Sequence, residues 1–182
     1  GISGGWDGFR GTPELVMKFD YQDNANPKAD EILDKRGIFY DKNRSIDITT
    51  SVTGTFTTEG WAVYKYTNLR SDGQPGSNTT FPDTDFPMFR LADVYLMYAE
   101  AVARGGQGGS MGTAVQYVNA LRRRAYGDTS HGVTEVWLQE NGYRNILDER
   151  CRELYWEGTR RTDLIRYGLF TSSGYVWTFK GG

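Results

Sequence analysis

The sequence predicts a mainly α-helical fold with irregular loops and a few short strands. Three observations carry this reading. Residues 88–167 repeat apolar side chains at helical spacing, in segments closed by Gly. Residues 1–87 are rich in Gly, Asn and Thr, with short apolar stretches between them. The whole chain of 182 residues is 38% hydrophobic and 24% charged. That is enough apolar content to bury a core, and a length that suits one ordinary domain or part of a larger one.

The elements follow in order. Gly4-Gly5-Trp6-Asp7-Gly8-Phe9-Arg10-Gly11 reads as a loop, because four Gly in eight positions leave no regular element. Thr12-Pro13-Glu14 starts a short helix with Thr as N-cap, Pro in the first turn and an acidic residue where the helix dipole favours it. Ala29 to Arg36 adds a helical turn stopped by Gly37. Ile38 to Tyr40, Ser45 to Thr53 and Trp61 to Tyr66 read as strands, from their β-branched and aromatic content. Alternation along the last of these predicts that about half of its side chains are buried. Asn68 to Pro87, with Pro75, Pro82 and Pro87, is a long loop, and loops of this length tend to be functional or to cover another part of the protein.

Beyond the loop, Leu91, Val94, Tyr95, Tyr98, Ala99 and Val102 share one helical face, and Gly105-Gly106 ends that helix. Ser110 caps a second helix containing Ala114, Val115, Val118, Leu121 and Ala125, so the two make a helical hairpin. Residues 126–143 look irregular. Ile146, Leu147, Cys151, Leu154 and Tyr155 mark a third helix that runs to Gly158, and 161–166 is a last short helix stopped by Gly168.

Composition excludes several function classes. One Cys rules out an intrachain disulfide and a Cys-rich zinc site, and one His rules out any His-pair metal site. A net charge of −2 gives no nucleic-acid footprint. No apolar run approaches the ~18 residues of a membrane span. The chain opens on Gly1-Ile2 and stops just after a strand-like Tyr175 to Phe179, which reads as part of a longer protein.

Three motifs then point to a family. Phe89-Arg90-Leu91-Ala92-Asp93 followed by Leu96-Met97-Tyr98-Ala99-Glu100-Ala101 resembles one signature helix of the SusD/RagB family. Val118-Asn119-Ala120-Leu121-Arg122-Arg123-Arg124-Ala125 resembles a second, and the run from Asp148-Glu149-Arg150 through Glu157-Gly158 to Arg166 resembles a third. They stand in the family's order and at its spacing over residues 88–167. The resemblance implies a SusD-like fold with tetratricopeptide-like helix pairs. Residues 1–87 would be a loop-rich ligand face with short helices and strands. Residues 88–182 would be the helical scaffold, the two forming one structural unit within a larger SusD-like domain. The implied function is that of a non-enzymatic, lipid-anchored protein on the outer-membrane surface of Bacteroidetes-type bacteria. It would bind starch- or other polysaccharide-derived oligosaccharides and hand them to a SusC-like TonB-dependent transporter. The anchor would lie outside this chain, which would be roughly the C-terminal half. A structural lid or adaptor of the transporter, taking peptide or another nutrient, is the alternative.

The charged residues also offer candidates for catalysis. Glu149 and Glu153 lie one turn apart, the arrangement a glycosidase pair would need. Arg within helical reach of every carboxylate keeps them ionised instead, so the charged helix reads as an ion-pair lattice, with Arg90 to Asp93 and Asp163 to Arg166 as local pairs. No catalytic residue is expected. Ser130-His131 lacks a nucleophile elbow, and the Gly-rich 105–112 segment follows a helix and lacks the phosphate-loop Lys. Asp83 with Asp85, and Asp20 with Asp23, are too few carboxylates for a Ca²⁺ cage. A structural Ca²⁺ is thus a weak option, and no other cofactor is expected. Tyr95, Tyr98, Tyr117, Tyr155 and Trp156 are assigned to helix packing. Trp6 sits apart in its Gly loop. With Asp7 and Arg10 it offers a flat plate for a sugar ring and polar groups for the hydroxyls, and Phe9, Tyr40 and Phe81 are weaker members of this candidate glycan site.

Overall fold

The computed structural model describes residues 9–49, 57–172 and 175. Trp6, Asp7 and most of the opening Gly loop therefore lie outside the described residues, as do 50–53 of the second expected strand and 176–179 of the strand-like end.

The elements run along the chain with the loop-rich part first and the helical hairpin after it. They are β1 (Arg10–Gly11), α1 (Pro13–Val16), β2 (Phe39–Tyr40), β3 (Trp61–Val63), α2 (Leu91–Ala103), α3 (Met111–Tyr126), α4 (Glu135–Gln139), α5 (Arg144–Leu154) and α6 (Arg160–Arg166). Helix α2 closes in a Schellman turn. Gly105 adopts φ +90°, its N–H donates to the Val102 carbonyl at 2.9 Å, and the Gly106 N–H donates to that of Ala101 at 2.8 Å. Ser110 caps α3 by accepting from the Thr113 N–H at 3.1 Å. Between the two helices Leu96, Ala99 and Ala103 pack on Ala114, Val118 and Leu121, with Leu138, Ile146 and Leu154 completing the core. Tyr95 stacks flat on Tyr117 at 4.2 Å.

Segment 126–143 is more regular than the sequence suggests. Thr134 caps the five-residue helix α4, and Leu138 is fully buried there. A helix this short does not complete two turns, so it leaves no periodic signal. Helix α5 buries Ile146, Leu147, Cys151 and Leu154 but stops at Leu154, short of the expected Gly158. Tyr155 turns into an extended conformation (φ −57°, ψ 143°), and Trp156 follows at φ +63°. Helix α6 ends as expected at Gly168, again with paired carbonyl caps, from Gly168 to Ile165 and from Leu169 to Leu164.

The loop-rich part is organised on a three-stranded antiparallel sheet in the order β1-β3-β2. Gly11 pairs with Trp61, Phe39 with Val63, and both Arg10 and Tyr40 with Ala62. One face of this sheet buries Trp61, Val63 and Phe39 against Val16, Phe19 and Tyr21. Tyr155 from the end of α5 enters the same cluster, and its hydroxyl donates to the Arg36 carbonyl at 2.6 Å and accepts from the Ile38 N–H at 3.3 Å. The helical turn at 29–36 reduces to a 3-10 turn over Ala29–Glu31. Residues 45–49 do not form the expected strand; among them only Ser45 makes a bridge, to Glu59. The long loop is irregular, as expected. It folds around the buried Asn68, whose amide donates to the Asn78 carbonyl at 2.9 Å and accepts from the Asp83 N–H at 2.8 Å.

Helix α2 carries apolar residues on both sides, and only one side is buried. Leu96→Ala should cost about 2–5 kcal/mol in urea unfolding, because it opens a cavity in the core. Leu91→Ala, on the exposed side, should stay within about 0.5 kcal/mol of wild type.

Candidate functional site

Glu149, Glu153 and Glu157 follow one another at intervals of four, and all three carboxylates are buried. Glu149 accepts from Arg36 at 2.7 Å through one oxygen, and from Arg122 at 2.8 Å and Arg152 at 2.7 Å through the other. Glu153 takes Arg36, Arg90 and Arg124. Glu157 takes Arg90, through Nε at 2.6 Å, and Lys65. Burial by itself would raise the Glu149 carboxyl; Arg152, Arg36 and Arg122 outweigh it and hold that group well below the ordinary carboxylate range. Glu153 and Glu157 are lowered on the same balance, burial against their guanidinium and ammonium partners. Such groups are permanently ionised at neutral pH and unsuited to act as general acids. The charged helix is therefore the ion-pair lattice the sequence suggests.

Its wiring differs from the local pairs expected. Arg90 reaches Glu153 and Glu157 rather than Asp93, and Asp93 is taken by Arg150 at 2.7 Å. The cause is position: Arg90 is the N-cap of α2, in extended backbone, and so projects away from the helix it precedes. Asp163 does pair with Arg166, at 2.6 Å. Cys151 is buried mid-helix, and burial pushes its thiol up. His131 stacks on Tyr126 at 3.9 Å. Ser130 and Asp128 both approach its Nδ1, and Ser130 also bonds Asp128 directly, so the imidazole does not stand between nucleophile and carboxylate as a triad requires. Asp83 accepts from the backbone and hydroxyl of Ser77, and Asp23 from Ala25 and Asn26. Among the described residues no group of three or more His, Cys, Asp or Glu could hold a metal ion.

The described members of the candidate glycan site fall into two groups. Directly opposed residues of an antiparallel pair share a face, so Arg10, Ala62 and Tyr40 form one row across the outer side of the sheet. Tyr64, two residues beyond Ala62, follows on that side. Its ring lies 5.8 Å from that of Tyr40, and both rings are substantially exposed. Arg10 donates to the Glu59 carbonyl at 2.9 Å, and Phe9 beside it is 85% exposed. Phe81 is also exposed, but it lies on the long loop with its N–H bonded to Asn78. Among the described residues no ring pairing joins it to Phe9 or Tyr40.

The sequence does not single out the exposed rings of Tyr64, Phe86, Phe89 and Trp156. Tyr64 was legible, since Trp61 and Val63 alternate with Ala62 and Tyr64 and the second pair faces out. The sequence places Trp156 in helix packing, but it stands past the end of α5 and is 41% exposed. Tyr155, Tyr95, Tyr98 and Tyr117 do pack as expected.

The described residues thus combine a helical scaffold locked by buried ion pairs with exposed rings on an adjoining small sheet. The chain belongs to the SusD family, whose model matches residues 47–180. Over 125 residues it is 46% identical to the starch-binding protein SusD of Bacteroides thetaiotaomicron, an overlap of 69% of this chain and 20% of that relative. Over 106 residues it is 39% identical to SusD-like protein P25 of Formosa agariphila, covering 58% of this chain and 19% of that protein. The chain thus spans about a fifth of the length of these curated relatives.

Replacing Glu149 by Gln leaves three guanidiniums around a neutral amide. That change should cost about 3–5 kcal/mol in urea unfolding. Because the folded carboxyls of Glu149, Glu153 and Glu157 are lowered, their contribution is complete above the unfolded Glu value of about 4.3 and is lost as pH falls below it. Thermal melts followed by circular dichroism should show a steady Tm from about pH 8 to pH 5 and a steep fall below about pH 4.

Proposed function

We propose that the protein is a glycan-binding protein of the outer-membrane surface, lipid-anchored outside this chain. It captures starch- or other polysaccharide-derived oligosaccharides and delivers them to a SusC-like TonB-dependent transporter. The observation that carries the reading is the outer face of the sheet. Arg10 on β1 and Tyr40 on β2 are held there in register across Ala62, with Tyr64 just past β3, on a sheet whose other side is locked into the core. Aromatic rings stack on the CH face of a pyranose, and a guanidinium donates to its hydroxyls. Family membership and the starch-binding relative favour the same chemistry. Among the described residues no helix is long and apolar enough to cross a membrane.

A plate with a few hydrogen bonds supplies about 4–6 kcal/mol, a Kd from millimolar to tens of micromolar. A delivery protein works in that range, because it must release what it binds. A second reading, the lid or adaptor with little glycan affinity, is favoured by one observation: Met88, Phe89, Leu91, Val94 and Met97 leave an apolar surface exposed on and before α2.

Isothermal titration against a panel of polysaccharides and maltoheptaose separates the two. Binding in the stated range, weakened at least fivefold by Trp6→Ala or by Tyr40→Ala, is the expected result. Unchanged binding in both variants would show that the site lies elsewhere. No heat with any glycan, together with capture of the transporter from detergent extracts, would establish the adaptor instead.

A further inference from the structure

The turn that follows α5 places an indole on the surface at the cost of an unfavourable backbone. Trp156 adopts φ +63°, a region L-residues with a bulky side chain seldom occupy. Its neighbours are fixed on both sides. Tyr155 is buried in the sheet cluster, and Glu157 is buried on Arg90 and Lys65. Lys65 Nζ also donates to the carbonyls of Glu153 at 2.9 Å and Tyr155 at 2.7 Å, and the Tyr66 hydroxyl donates to the Trp156 carbonyl at 3.3 Å. With both flanking side chains directed inward, the left-handed residue between them directs its ring outward. Strain of this kind persists where the surroundings over-determine it, and such positions cluster at ligand contacts.

Other exposed rings converge on this turn. Phe9 meets the indole edge-on, with centroids 6.1 Å apart and planes at 78°. Phe86, itself exposed, reaches to 3.8 Å from where a Cβ on Gly158 would stand. Packing alone does not explain an indole left 41% exposed beside a Phe left 85% exposed, in a conformation that Gly would adopt without strain.

We propose that Trp156, braced by Phe9, is a second stacking plate for a pyranose ring of the bound glycan. The inference rests on the glycan-binding reading above and extends it. Phe9 immediately follows Trp6-Asp7-Gly8, so the plate is contiguous in sequence with the loop already assigned to ligand. The Tyr66 hydroxyl, donating to the Trp156 carbonyl, keeps lone pairs that can accept from a sugar hydroxyl. An indole face braced edge-on by a Phe, with a phenol beside it, fits the amphipathic face of a sugar better than the aliphatic ridge of a protein partner.

The test is titration of the whole protein with maltoheptaose, using wild type, Trp156→Gly and Trp156→Tyr. The Gly variant relieves the left-handed strain, so its Tm should stay within a few degrees of wild type while affinity falls at least fivefold. Trp156→Tyr keeps a plate and should bind within about twofold of wild type. Tryptophan fluorescence should shift on adding maltoheptaose, and that shift should shrink in Trp156→Tyr. Wild-type affinity retained in Trp156→Gly overturns the plate while leaving the glycan-binding reading intact. A steep loss of Tm in Trp156→Gly without loss of affinity assigns Trp156 to packing and overturns it too. Unchanged affinity in Trp156→Gly with loss of transporter capture makes this face a protein contact. No binding of maltoheptaose by wild type, with binding of another glycan that Trp156→Gly does not alter, overturns the proposal; no binding of any glycan overturns the underlying reading with it.

Discussion

The column of three buried glutamates along and just beyond α5 is the constraint on which the rest of the structure depends. Each carboxylate has left water, and a buried charge is tolerated only when its partners and hydrogen bonds are in place. The partners come from far along the chain. Arg36 arrives from the loop before β2, Lys65 from just after β3, Arg90 from the N-cap of α2, and Arg122 and Arg124 from α3. Against a well-packed apolar substitute, such a network contributes little net stability. What it does is penalise every arrangement in which one of those segments is misplaced, since each omission leaves a buried charge uncompensated. The loop-rich part, with few regular hydrogen bonds of its own, is thereby tied to the helices at defined points. Arg36 is the clearest case: its guanidinium contacts Asp34, Glu149 and Glu153 at once.

Apolar packing reinforces the same junction. The helical core and the sheet cluster are separate, and Tyr155 carries the end of α5 into the second of them. Its ring packs edge-on to Phe19 at 5.7 Å and beside Phe39 at 5.8 Å, while its hydroxyl bonds the backbone on either side of Gly37. Gly is needed at that point, because a Cβ on Gly37 would stand 2.1 Å from Ile32 Cδ1 and 3.0 Å from the Phe19 ring. Burial pushes the Tyr155 phenol up to about 12, so it remains a neutral hydrogen-bonding group across the physiological range.

Much of the fold was legible because its signals are local. Caps such as Ser110, glycine stops such as Gly105 and Gly168, and the 3.6-residue period of α2, α3 and α5 each need only a few neighbouring residues to read. The failures have a common physical cause, which is that the deciding partner is remote. Arg90 has Asp93 at helical spacing, and nothing nearby in sequence says that its true acceptors lie more than sixty residues away. The period of α5 continues through Leu154 and Tyr155 and suggests a helix to Gly158; the helix breaks because Tyr155 is drawn into a different core. Trp156 escapes helix packing for the same reason. In the candidate site, Tyr40 and Arg10 could be named from sequence, but their alignment across Ala62 depends on strand pairing that connects residues 10, 40 and 62.

Rigidity of the charged column bears directly on binding by a surface of this kind. Stacking a sugar on an exposed ring releases little free energy, so entropy spent on ordering the ring consumes much of the gain. In the proposed site that loss is limited, because the rings are mounted on positions fixed from behind. Tyr40 and Tyr64 stand on strands whose opposite side is core, and Trp156 stands between two buried residues whose side chains are locked by Arg36, Arg90 and Lys65. The arginines that keep the glutamates ionised are therefore the same groups that hold the neighbouring aromatic surface in place, and through it the scaffold would shape the proposed site without touching a ligand.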